Sequence, residues 1–255
     1  MAKKKKRKLS KAGRIISDVL IVICLAVAGF SGYNLYKELK EYNVSKEAYD
    51  TLTPEVITVN EETNEKIIDH ATLLSMNADY KGWVYLEDSS IDYPFVQTTD
   101  NEYYLRHLFN GEWNNSGCVF IDTNNNPDFS DRNTVLYAHN MKNGTMFADI
   151  EKYKDASYYD THKVIHIYTE SQNYDVYPIA GMLSDGQDAY VQITFNDDAE
   201  FMNYTSRFIE NSTFTSEQTL EATDRIVMFS TCNYDVDDGR YVLIGKLVPV
   251  TETVE

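Results

Sequence analysis

Arg225-Ile-Val-Met-Phe-Ser-Thr-Cys232 is a run of β-branched and apolar residues that ends in small polar side chains and a thiol. Eight residues on, Arg240-Tyr241-Val242-Leu243-Ile244 opens a second such run, and Asn233-Tyr-Asp-Val-Asp-Asp-Gly239 between them is a polar turn. Short apolar runs bounded by turn residues are strands. The segment therefore predicts a hairpin with Cys232 and Arg240 on neighbouring strand ends. A third run, Thr134-Val-Leu-Tyr-Ala-His139-Asn140, ends in an imidazole. Three strand ends can thus bring a thiol, an imidazole and a guanidinium to one rim.

The surrounding sequence has the same texture from about Asp79 onward. Candidate strands are Gly82–Leu86, Tyr93–Gln97, Cys118–Asp122, Thr134–His139, Lys163–Thr169, Asp175–Leu183, Tyr190–Thr194, Arg225–Cys232 and Tyr241–Val248. Short helices are expected at Glu102–Phe109, Met146–Tyr153 and Asp197–Glu210, and a turn at Asn124–Asp128. Many short strands with turn residues between them predict an all-β barrel or sandwich. Upstream, Lys37–Tyr49 is helix-prone, Thr51-Leu-Thr-Pro54 is expected to break the helix, and Glu61–Met76 to restart it with Ile67, Ile68, Ala71, Leu73 and Leu74 on a packing face.

The 255 residues are 43% hydrophobic and 25% charged, which excludes wholesale disorder, and 11 Gly with 5 Pro exclude a collagen-like chain. A net charge of −17 argues against a nucleic-acid binder. The charge is unevenly spread. Residues 1–14 hold eight basic and no acidic side chains, leaving 15 basic against all 40 acidic residues beyond them, a net of −25. Ile15–Tyr36 follows, 22 residues whose only charge is Asp18. About 20 apolar residues in a helix cross a bilayer core, so this segment predicts a membrane anchor. A cleaved signal peptide is the alternative, because the uninterrupted apolar part, Val19–Phe30, is short. The positive-inside rule puts the basic end in the cytoplasm and the acidic body outside.

Three cysteines, one of them in the membrane segment, make no disulfide scaffold, although Cys118 and Cys232 could pair. There is no C-x-x-C and no clustered His/Cys set, so neither a metal nor another cofactor is expected. His162 and His166, four apart on an expected strand, could hold a metal or simply lie on a sheet surface. His70 and His107 are expected to be structural and Cys118 to be buried. The acidic turn Asp235–Asp238 could hold a cation or be a solvated turn.

Cys232, His139 and Arg240 suit nucleophilic acyl chemistry. A thiolate is the attacking form, a neighbouring imidazole takes and returns a proton, and an arginine stays charged and can bind the oxyanion of a tetrahedral intermediate. Each residue alone also has a structural reading: a buried small hydrophobe, a turn histidine, a surface ion pair with Asp235, Asp237 or Asp238. A non-catalytic envelope scaffold and a cysteine endopeptidase using water are therefore rivals to a transferase.

The flanking words narrow the choice. Tyr137-Ala-His139-Asn140-Met-Lys-Asn-Gly-Thr-Met-Phe147 resembles the histidine motif of class B sortases, Phe229-Ser-Thr-Cys232 is similar to the family's T-L-x-T-C word, and Gly239-Arg240-Tyr-Val242 to its arginine strand. Gly82-Trp83-Val84, Ile91–Gln97 and Asp100–Leu105 resemble the first barrel strands and the helix after them. The resemblance covers about residues 64–250. It implies a mainly β, closed eight-stranded sortase-type barrel with N-terminal helices and a helix in the long loop before the cysteine strand. With the charge and apolar pattern read above, the division is 1–14 cytoplasmic tail, 15–36 transmembrane anchor, 37–75 helical stalk and docking helix, 76–250 catalytic barrel, 251–255 tail. It implies a transpeptidase that cuts a sorting signal of the Asn-Pro-x-Thr or related x-Pro-x-Thr type after Thr. Cys232 would be the nucleophile, His139 the proton carrier and Arg240 the substrate and oxyanion ligand, with substrate contacts from Asn101, Leu105, Ser230 and Thr231. The implied partners are secreted proteins carrying the signal, a peptidoglycan-precursor amine and the cell membrane, with no nucleic acid and a monomeric enzyme. Phe229 in place of the usual Leu, Asn233 after the cysteine and the short Cys232–Arg240 loop depart from the pattern.

Overall fold

Eight of the strands in a computed structural model of the chain close on themselves. The structure describes residues 10–60, 66–184, 190–232 and 239–251. The start of the basic tail, the turn from Asn233 to Asp238 and the residues after 251 lie outside them. The chain separates at Val44–Ser45 into two units.

The first unit belongs to helix α1 (Lys11–Val56). Its apolar window has a mean hydropathy of 2.3 and none of it is buried, so by length and composition it can cross a membrane. The second unit begins with the last turns of α1, where Ser45, Tyr49 and Val56 are buried. The expected break at Thr51–Pro54 does not occur: Pro54 stands in the final turn, where its missing N–H costs a single helical bond.

Strands β1 (Ile57–Val59) and β2 (Lys66–Ile68) pair antiparallel. The expected helix over 61–76 is therefore shorter, α2 (His70–Met76). The β-branched pair Ile67-Ile68 goes to the strand, and Asp69 starts the helix by accepting the Thr72 N–H at 3.0 Å.

The barrel strands are β3 (Tyr80–Tyr85), β4 (Asp92–Val96), β5 (Val119–Ile121), β6 (Asn133–Tyr137), β7 (Ile165–Tyr168), β8 (Tyr174–Ser184), β9 (Arg225–Cys232) and β10 (Arg240–Pro249), in the closed order β10-β8-β7-β3-β4-β5-β6-β9. The β4–β5 and β6–β9 pairs are parallel and the rest antiparallel. The barrel expected from the resemblance is the one observed. Trp83 is wholly buried, and its indole N–H donates to Asp92 at 2.7 Å while Lys66 pairs with the other carboxylate oxygen at 2.6 Å. Gly82 beside it is required by close packing, since a Cβ there would meet the Phe95 ring at 2.4 Å and the Tyr168 carbonyl at 2.5 Å.

Helices α3 (Ala148–Glu151) and α4 (Ala156–Thr161) cover one part of the barrel. The long loop before β9 carries α5 (Asp198–Glu210). Its start was legible: Asp197 accepts the Glu200 N–H at 2.8 Å and Glu200 accepts the Asn196 N–H at 2.6 Å, a reciprocal cap. Phe201, Tyr204, Thr205 and Phe208 recur at helical spacing and are buried, packing with Met228, Val242 and Ile244 of the sheet.

Three further expectations need correction. Tyr190–Thr194 is not a strand: a closed barrel offers no edge for a ninth, and this backbone bonds side chains instead, Tyr190 O accepting from Tyr204 at 2.7 Å and Gln192 O from Asn133 at 2.8 Å. Glu102–Phe109 shrinks to a 3-10 turn at Tyr103–Leu105, because the Tyr104 and Arg106 carbonyls accept from Cys118 and Asn114, both at 2.9 Å, rather than from the next helical turn. His162 lies at the C-cap of α4 and His166 on β7, where it bonds Asp175 at 2.8 Å, so they do not share a strand face. Cys118, as expected, is buried, and it is a free thiol, so the arithmetically possible bridge to Cys232 does not form.

Candidate active site

The rim follows from strand register. Tyr137 of β6 is the register partner of Ser230 on the parallel β9. His139 and Cys232 each lie two residues beyond that pair, His139 past the end of β6 and Cys232 at the end of β9. On the other side of β9, Arg240 is the antiparallel register partner of Cys232, and it also pairs with Ser184 of β8. The backbones of Cys232, Arg240 and Ser184 therefore stand side by side at the ends of β9, β10 and β8, and His139 follows the end of β6, the strand on the other side of β9.

His139 is half-buried, and its Nε2 lies 2.8 Å from the Leu105 carbonyl oxygen. Its pKa lies below the ordinary histidine value. Desolvation is the main cause, the Leu105 bond opposes it, and the charges of Arg106 and Arg240 add to it. Arg240 is thus near enough to act on the imidazole. Its Nη1 also donates to the Gly239 carbonyl at 3.0 Å.

This depression gives stability a pH dependence. A neutral folded histidine binds fewer protons than the unfolded one, so its contribution is fully present above the unfolded value near 6.5 and is lost as pH falls through that value. His70, also depressed by burial, acts in the same sense. Thermal melts are expected to fall more steeply between pH 6.5 and 5 for the parent chain than for His139→Gln. Equal slopes would contradict the burial.

The four residues expected to contact substrate are differently placed. Leu105 meets His139 through its carbonyl. Asn101 is tied into the barrel: its Oδ1 accepts the Thr123 N–H at 2.8 Å and its Nδ2 donates to Asp122 at 3.0 Å. Ser230 is buried with its hydroxyl 2.9 Å from the Tyr190 hydroxyl. Thr231 points to the opposite face of β9, and its buried Oγ1 has no hydrogen-bond partner. The structure thus gathers His139, Cys232, Arg240 and Leu105, puts Ser230 next to them on β9, and holds Asn101 through Asp122.

Three contributors escaped the sequence reading. Asp122, 4% exposed, accepts from Asn101, from the Tyr137 hydroxyl at 3.0 Å, and from the backbone and side-chain N–H groups of Asn124 at 2.9 Å each. It thereby fixes Asn101 relative to the strand that carries His139. Its position at the end of an expected buried strand was the available signal. Tyr190 was assigned to a strand, and Arg106 has no local signal because its effect on His139 is through space. Among the described residues no cluster of His, Cys, Asp or Glu fits a metal ion.

The sequence of this barrel matches the family description of a sortase domain over residues 84–248. A curated sortase B of Listeria monocytogenes is 34% identical over 93% of this chain and 99% of its own length. The chain belongs to the sortase B family. Sortases are a family of cysteine transpeptidases. Among solved sortase structures, one of Bacillus anthracis sortase B is 29% identical with a TM-score of 0.73, over 83% of this chain and all of that one. A Staphylococcus aureus sortase B–substrate complex is 28% identical with a TM-score of 0.69, over 72% of this chain and 86% of that one. The sortase barrel of this chain carries its apolar helix at the N-terminal end, as a candidate membrane span.

Proposed function

We propose that this chain is an extracellular, membrane-anchored transpeptidase that cuts a sorting signal of the x-Pro-x-Thr type after Thr and joins the new carboxyl end to a cell-wall amine. The observation that supports the reading is the strand register, in which Arg240 pairs with Cys232 and His139 follows two residues after the Tyr137–Ser230 pair. The basic end before the apolar helix supports an orientation with that end in the cytoplasm.

In this reading the Cys232 thiol gives its proton to His139, and the sulfur attacks the Thr carbonyl carbon. The tetrahedral oxyanion is stabilised by the Arg240 guanidinium, which stays charged at any working pH. The C–N bond then breaks, and the departing amine takes the proton from His139. The thioester left on Cys232 is attacked by the acceptor amine, whose proton passes to His139 as the thiolate leaves. The depressed pKa of His139 keeps the imidazole mostly neutral at pH 7, ready to accept the first proton.

A peptide library with x-Pro-x-Thr cores, incubated with the enzyme with and without an added amine and read by mass spectrometry, tests this. Cleavage after Thr, with a ligated product when the amine is present, is expected. Hydrolysis alone at every amine concentration would replace the transpeptidase with a cysteine endopeptidase. Absence of cleavage across the library would leave a non-catalytic scaffold.

A further inference from the structure

We propose that His139 exchanges its working proton at Nδ1, its Nε2–H being given over to the Leu105 carbonyl, and that Gly117 is the positioning residue that lets that carbonyl reach the ring. The inference rests on the proton-carrying role of His139 proposed above and adds which nitrogen performs it.

A carbonyl oxygen only accepts, so the 2.8 Å contact between Nε2 and Leu105 O requires the proton on Nε2. The neutral ring then has its lone pair on Nδ1. The carbonyl is held in place from both sides along the chain. Tyr104 O accepts the Cys118 N–H and Arg106 O accepts the Asn114 N–H, each at 2.9 Å, so the peptide units before and after the one that carries the Leu105 carbonyl are both tied to the 114–118 segment.

At Gly117 that segment passes close to the Tyr104 and Leu105 carbonyls. Its φ of +62° is in the left-handed region, and an added Cβ would lie 2.5 Å from Tyr104 O and 2.9 Å from Leu105 O. Backbone on both sides of the gap leaves no flexible side chain to move aside. Gly117 itself is pinned from behind, where Tyr49 of α1 donates its hydroxyl to the Gly117 carbonyl at 3.2 Å. A side chain at 117 would push the Leu105 carbonyl off the imidazole and release the tautomer.

The proton balance follows. The thiol proton arrives at Nδ1, giving imidazolium with Nε2–H unchanged. The same proton leaves from Nδ1 to the departing amine as its C–N bond breaks, and Leu105 keeps its donor throughout.

The test uses the full chain, labelled with ¹⁵N-histidine, in detergent micelles above the pKa of His139. Long-range ¹H–¹⁵N correlation spectra distinguish protonated from unprotonated ring nitrogens, and the His139 signals are those lost in His139→Gln. A protonated Nε2 and an unprotonated Nδ1 are expected. The opposite tautomer, or an even mixture, would overturn the assignment, and this readout needs no turnover. It therefore stands or falls separately from the peptide assay. Gly117→Ala is expected to show mixed tautomers and to lose at least about tenfold in kcat with KM within about twofold. Parental tautomer and kcat in that variant would overturn the role of Gly117. So would failure of the variant to fold, which would make Gly117 a folding residue instead.

Discussion

The Cys232→Ala variant is expected to form no cleaved and no ligated product, while melting at the temperature of the parent chain. In the proposed chemistry every product passes through a thioester on this sulfur. The other cysteine of the barrel, Cys118, is buried against the Pro94 carbonyl at 3.6 Å with its thiol pKa pushed up to about 12, so it is neither accessible nor ionised. The fold tolerates the change because residue 232 is the last register pair of β9 with β10, and alanine keeps its backbone bonds. Chromatography of peptide digests alongside thermal melts checks both halves. Cleavage above the enzyme-free background would remove Cys232 from its role.

Arg240→Ala is expected to lower kcat about 10²–10³-fold, the usual loss for one donor to a developing oxyanion. The arginine is the register partner of Cys232, so its backbone is fixed beside that of Cys232 whatever its side chain does. Arg240→Lys is expected to recover little, because a compact ammonium does not replace a planar fork of N–H donors. The change has a second signature. The Arg240 charge is one cause of the depressed pKa of His139, so both variants bear on that value, Ala raising it more than Lys. Steady-state kinetics give the first number, and NMR titration of His139 gives the second. A kcat within threefold of the parent would mean that other groups stabilise the oxyanion.

Much of this was legible because it depends on runs of residues. The β-branched word ending at Cys232 and the word opening at Arg240 became β9 and β10 with those two residues paired, and the word ending at His139 became β6 and its exit. The expected helix Asp197–Glu210 became α5, starting one residue later. What was not legible depends on neighbours that only the closed barrel supplies. Tyr190–Thr194 has strand composition but no edge to join. Glu102–Phe109 has helical composition but gives its carbonyls to residues 114 and 118. At the site, the groups that hold His139 and Asn101 are a backbone carbonyl, a glycine and a buried carboxylate. None of these carries chemistry that composition alone would single out, although an isolated glycine before a strand, as at Gly117, is a sign of close backbone approach.

Intact mass spectrometry of the enzyme under single turnover with an x-Pro-x-Thr peptide shows whether an acyl-enzyme forms on Cys232. The protein is expected to gain the mass of the acyl fragment ending in Thr, digestion to map the adduct to Cys232, and an added amine to discharge it as ligated peptide. An acyl adduct on any other residue, or peptide cleaved and ligated by the Cys232→Ala protein, would contradict it.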